Sequence, residues 1–230
     1  MVGNEAKIKD VCADCNNGVL AGLDAYAKGL FTDSGLLVHN YLKKSLILKY
    51  DYSKILRWLL KVSFNTSRMD GLHSHLFEEF VPFILREVPL PPRRKVAVIA
   101  YLAGPIKLDD NQAVSKPFFI VAKGEKMLNP FIVRIGYNNV VSGSVRYTLR
   151  TVNLGPLAFY LLIFDTDTSP FNAARSIGKL TKKIQGAVEL NRNGQFIKLQ
   201  TGRKTWLELY EDQVLRNGIP QAMKQLSRLR

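Results

Sequence analysis

Hydrophobic positions in the first third of the chain recur at helical spacing. Val19, Leu20, Leu23, Ala27 and Leu30 fall on one helical face, and Gly29 with the Thr32-Asp33-Ser34-Gly35 cluster ends that segment. A short β-prone stretch, Ser45 to Tyr50, follows. Asp51 or Ser53 is placed to cap the next predicted helix, whose apolar stripe is Ile55, Trp58, Leu59 and Val62. Lys54, Arg57 and Lys61 fall on its other side, where a solvated face is the expectation and phosphate contact the alternative. A third helix is predicted from Leu72 towards Arg86, with Leu76, Phe80 and Phe83 inward and Pro82 interrupting or bending it.

Pro89-Leu-Pro-Pro92 then punctuates the chain, and the period changes. Lys95 to Leu102, Pro117 to Ala122, Phe131 to Tyr137, Val140 to Val152 and Leu157 to Phe164 are rich in β-branched and aromatic residues, with turn formers between them. Arg146 to Val152 alternates polar and apolar, as a half-exposed strand does. Asn138-Asn139 between two such runs reads as a tight turn. Ser169 with Pro170 behind it opens a helix through Phe171, Ala174, Ile177 and Leu180. Phe196 to Gln200 and Thr205 to Tyr210 read as a hairpin around Thr201-Gly-Arg-Lys204, and a basic amphipathic helix is expected from Pro220 to Leu229. The fold class is therefore α+β: a helical part, then a mainly antiparallel sheet with C-terminal helices. Residues 1–88 and 93–230 are the expected division of the chain.

Composition narrows the functional classes. Of 230 residues, 47% are hydrophobic and 23% charged, enough apolar material for a core. No apolar run reaches membrane-spanning length and no secretory leader is visible, so a cytoplasmic protein without a membrane partner is expected. Net charge is +14 and unevenly placed. Residues 1–115 carry 15 Lys+Arg against 12 Asp+Glu, and residues 116–230 carry 18 against 7. Such asymmetry points to a polyanion as partner of the second half, although a merely soluble basic surface gives the same count. The basic clusters Arg93-Arg94-Lys95, Lys179 with Lys182 and Lys183, and Arg203-Lys204 are the candidate phosphate contacts.

The two cysteines stand in Val11-Cys12-Ala13-Asp14-Cys15-Asn16-Asn17-Gly18, followed by an amphipathic helix. Two thiols at this spacing in a cytosolic chain suit metal ligation or redox chemistry. At this point the chain resembles the HNH endonuclease family, in particular the group whose finger ends in C-x-x-C-N-N-G before a helix with an acidic residue near the position of Asp24. The match covers roughly residues 8 to 30. The resemblance implies the second half of a ββα finger, with Cys12 and Cys15 holding a structural zinc. It places Asn16 where the family offers a ligand to a catalytic Mg²⁺ or other divalent ion, and it makes DNA the expected partner in preference to RNA.

Residues 1–11 contain no counterpart of the family's first knuckle or of its general-base histidine. Two thiolates do not close a tetrahedral zinc site. The expectation is an HNH-like nucleic-acid-binding chain that does not hydrolyse DNA by itself; the alternative is a non-enzymatic regulator of a mobile-element or defence locus with a vestigial finger. A zinc shared by Cys12 and Cys15 of two copies implies a homodimer. His73 and His75 offer a further ligand pair, against which their i, i+2 spacing counts, and His39 reads as a surface or packed residue. Asp165-Thr-Asp167 resembles a Mg²⁺ carboxylate pair but reads better as a polar turn. A redox pairing of the two thiols lacks the βαβ context it usually has. No P-loop, dinucleotide glycine motif or G-x-S-x-G elbow is present.

Overall fold

The computed structural model describes residues 12–36, 44–70, 74–108, 119–122, 124–129, 136–142, 145–205 and 208. A helix begins with α1, Ala13–Cys15, passes through a π turn at Asn16–Leu20 and continues as α2, Ala21–Asp33. Of its predicted stripe, Leu20, Leu23, Ala27 and Leu30 are buried and Val19 is half-buried. Strand β1, Ser45–Lys49, leads into α3, Tyr52–Asp70, where the Asp51 carboxylate accepts the Lys54 amide at 3.1 Å and caps the first turn. In place of one bent helix there are two short ones, α4 at His75–Glu78 and α5 at Val81–Ile84. Pro82 opens the second, since an N-terminal turn has no use for its missing amide proton.

The strands are β2 (Val96–Gly104), β3 (Phe119–Ala122), β4 (Glu125–Leu128), β5 (Gly136–Ser142), β6 (Val145–Leu154), β7 (Leu157–Phe164), β8 (Val188–Glu189) and β9 (Phe196–Thr205). Helix α6, Pro170–Lys183, lies between β7 and β8, with the Ser169 hydroxyl accepting the Asn172 amide at 3.2 Å. Among the described residues, β3 and β4 pair with each other and the other seven strands form one sheet in the order β1-β9-β2-β7-β6-β5, β8 lying beside β2. All pairings are antiparallel except β2 with β9. The chain is thus mixed α+β, with a mainly antiparallel sheet after the first helices.

Both faces of the sheet centre are covered. Val98, Ala100, Phe159 and Leu161 pack towards α2–α5, while Ile99, Tyr101, Tyr160 and Leu162 pack towards α6. This explains the unbroken burial of β2 and β7. Residues on both sides of Pro89–Pro92 contribute to the first of these layers, in which the Phe31 and Trp58 rings meet edge-on at 5.5 Å.

Four sequence expectations are corrected. Asn138 and Asn139 lie inside β5, paired with Leu149 and Thr148, because the ladder with β6 continues through them. Thr201–Lys204 is no turn: β9 runs unbroken from Phe196 to Thr205. β6 is not half-exposed; Arg150 is 1% exposed and donates to the Ser63 carbonyl and the Ser67 hydroxyl of α3, each at 2.9 Å. Arg57 is 2% exposed rather than solvated, its Nε donating to the carbonyls of Phe83 and Ile84 at 3.1 and 2.9 Å. Residues 72–73, 117–118, 131–135, 143–144, 206–207, 209–210 and 220–229 lie outside the described residues.

Candidate metal knuckle and nucleic-acid interface

Cys12 occupies the N-cap of α1. Its extended backbone (φ −61°, ψ 150°) lets Sγ accept the Cys15 amide at 3.2 Å, and the Asn16 amide donates to the Cys12 carbonyl at 2.9 Å. The two thiols therefore sit together at a helix start, with Cys12 exposed, Cys15 half-buried and neither in a disulfide. The Cys15 thiol and amide bond to Cys12 and hold its pKa below the usual thiol value; the same thiol contact and burial push Cys15 up. Asn16 is exposed on the π turn, its carbonyl accepting the Ala21 amide. Asp24 is bonded to the Lys61 ammonium, which also reaches the Leu20 carbonyl at 3.0 Å.

A tetrahedral zinc needs four donors, and among the described residues no group of three or more His, Cys, Asp or Glu comes together. Cys12 and Cys15 fit half of such a site. His75 is exposed on α4, while His73 and His39 lie outside the described residues. Asp165 and Asp167 are exposed in a turn after β7, where the Thr168 amide bonds the Asp165 carbonyl at 3.0 Å.

The basic candidates separate into two groups. Arg93 forms a bidentate pair with Glu189, both contacts at 2.6 Å, and Lys95 meets Glu79 at 2.6 Å. Their charges are already answered, which leaves Arg94 exposed between them. The other group lies on α6 and β9. Lys179, Lys182 and Lys183 are exposed on the last turns of α6, and Arg203 is exposed on β9 beside half-exposed Lys204. No Asp or Glu occurs between Pro170 and Lys183.

Two glycines and a tyrosine bring the loop after α6 against β9. At Gly186, three residues after Lys183, an added Cβ would lie 3.4 Å from the Gly202 Cα and 3.6 Å from the Tyr101 ring. At Gly202 an added Cβ would lie 2.2 Å from that ring. The buried Tyr101 hydroxyl donates to the Lys204 carbonyl at 2.7 Å and accepts the Lys204 amide at 3.0 Å. Tyr101 burial also raises its phenol pKa, partly offset by the bond to Lys204. The sequence pattern marked the cations but not this joint, because nothing in a linear reading sets Tyr101 opposite Gly202.

No family model matches this chain, and no curated protein or solved structure matches it either. None of the described helices is long and apolar enough to cross a membrane.

Proposed function

We propose that this chain is a nucleic-acid-binding protein of HNH-endonuclease-like ancestry that engages DNA through the α6–β9 surface. One observation carries the reading. The loop after α6 meets β9 at Gly186 and Gly202; α6 carries Lys179, Lys182 and Lys183 and no carboxylate, and β9 carries Arg203 and Lys204. None of Lys179, Lys182, Lys183 and Arg203 forms an ion pair with a described residue. Clustered cations of this kind favour a phosphate backbone, and they read charge rather than base sequence.

The reading assigns DNA hydrolysis to none of the described residues. Cys12 and Cys15 supply two zinc donors, and a Mg²⁺ at Asn16 would need ligands that the described residues do not gather beside it. We place the chain in the cytoplasm, where reduced thiols are available to zinc. Zinc at half an equivalent per chain in protein purified without chelator would support two copies sharing one ion.

The test is duplex DNA binding at graded salt. Five phosphate contacts give a log–log slope of about −4.5. Neutralising Lys179, Lys182, Lys183 and Arg203 to Gln together should flatten that slope to near −1 and leave folding intact. Binding that is absent in low salt, or unchanged in the fourfold variant, overturns the reading.

A further inference from the structure

Two clefts of about 330 and 440 Å³ adjoin on the α2–α5 side of the sheet and share Lys54 and Arg86 in their walls. The larger is floored by the Gly18, Gly22 and Leu23 face of the π turn and α2; the smaller is closed by Arg57 and Pro89. The cations of the pair are thus Lys54, Arg57 and Arg86. The one carboxylate, Asp51, is engaged: it caps Lys54 and faces the Lys54 ammonium at 3.8 Å. Tyr26 forms the aromatic wall, with the Lys54 ammonium 5.5 Å from its ring centre.

Three features meet at these clefts. Arg86 is the one non-glycine residue at positive φ (68°) among the described residues. It sits just after α5, where its amide bonds the Phe83 carbonyl at 3.1 Å and the Glu87 amide bonds the Pro82 carbonyl at 2.8 Å. That hydrogen-bond pattern is the helix stop at which glycine is the favoured residue. Arginine there has a strained backbone and no ion pair with a described residue. Second, Gly18 and Gly22 lie within helical backbone although a Cβ at either would meet nothing within 4 Å. Third, Arg57 is buried with Nε and Nη2 bonded to carbonyls, no such bond at Nη1, and Arg86 near enough to repel it.

From this convergence we infer that the joined clefts bind a phosphate monoester on a flat apolar body. The phosphate is taken by Arg86 with Lys54 and Arg57, and the apolar body lies against Gly18, Gly22 and Tyr26. Guanidinium forks suit phosphate oxygens, and a helix surface bare of side chains leaves room for a planar group. The source is a free small molecule or the 5′-phosphate end of a nucleic-acid strand. The site shares no residue with the proposed α6–β9 surface, and α6 packs on the other face of the sheet.

The test is calorimetric titration of the whole chain with phenyl phosphate, benzyl alcohol, and a short oligonucleotide with and without a 5′-phosphate. Phenyl phosphate should bind and benzyl alcohol should not; tighter binding of the phosphorylated than the unphosphorylated strand names the strand end as the source. Arg86→Gly keeps the backbone it already has and should weaken phosphate-dependent binding about ten- to hundredfold. Gly22→Leu fills the apolar half and should abolish it. Gly29→Leu, an equally open helical position outside the clefts, should leave it unchanged. The inference is overturned if neither phosphorylated probe binds, if benzyl alcohol binds equally well, or if Arg86→Gly has no effect. Salt-dependent duplex binding at α6 and β9 survives these changes, so the two readings fail separately.

Discussion

Gly202→Ala should loosen the joint on which the basic surface depends. The new Cβ would stand 2.2 Å from Cε2 and the hydroxyl oxygen and 2.3 Å from Cζ of Tyr101. Tyr101 is fully buried and its hydroxyl is fixed by two bonds to the Lys204 backbone, so the ring has no easy retreat. Overpacking of this kind costs about 1–3 kcal/mol. Displacing the ring also forfeits two hydrogen bonds, each worth about 0.5–1.5 kcal/mol net. The expected loss is about 2–6 kcal/mol, a large share of the 5–15 kcal/mol typical of a folded domain. Urea unfolding followed by tryptophan fluorescence measures it, with an unchanged m-value as the check that both states stay comparable. Tyr101→Phe alone should lose only the hydrogen-bond part. Combining Gly202→Ala with Tyr101→Leu should cost less than the sum of the two, because the smaller side chain vacates the space the methyl needs. A Gly202→Ala variant within about 0.5 kcal/mol of the parent, or strict additivity in the pair, would refute the reasoning.

Other outcomes follow from the same geometry. Arg150→Leu removes charge-assisted bonds to the Ser63 carbonyl and the Ser67 hydroxyl; a loss of at least about 1.5–3 kcal/mol is expected by thermal or urea unfolding. Tyr52 is buried and its phenol is pushed up to about 12, chiefly by desolvation. Below pH about 10 both states hold the proton; between about 10 and 12 only the unfolded chain releases it, so stability falls with rising pH across that window. Tyr52→Phe should remove that part of the alkaline slope, read as unfolding free energy against pH. Arg93→Gln and Lys95→Gln should leave DNA affinity nearly unchanged, since Glu189 and Glu79 already answer those charges. Lys182→Gln or Lys183→Gln should each reduce the salt slope by about 1 in the same titration.

Local periodicity carried much of the architecture. The Leu20, Leu23, Ala27 and Leu30 stripe, the Ser169–Pro170 helix start and the runs of β2 and β7 follow from side-chain direction and backbone sterics, which neighbours in sequence settle. The Asn138–Asn139 turn failed for the converse reason. Asparagine tolerates a turn, but the ladder partners Leu149 and Thr148 decided that the strand continues. Arg57 and Arg150 occupy polar positions of amphipathic patterns, and a linear reading sends both to solvent. Each is instead drawn in by backbone carbonyls, those of Phe83 and Ile84 in one case and of Ser63 in the other. An unmet buried carbonyl is costly, and a long guanidinium can reach it.

The sequence by itself determined the α+β class, the position of the cysteine pair and the stock of cations in the second half. Composition and spacing are local quantities, and these features depend on little else. Only the tertiary structure decided which cations are available. It committed Arg93 and Lys95 to carboxylates and brought the loop after α6 against β9 at Gly186 and Gly202. It also turned Arg86 into a cleft that no motif announced. Pairing and approach depend on which distant backbones come close, and that is set by how the layers pack.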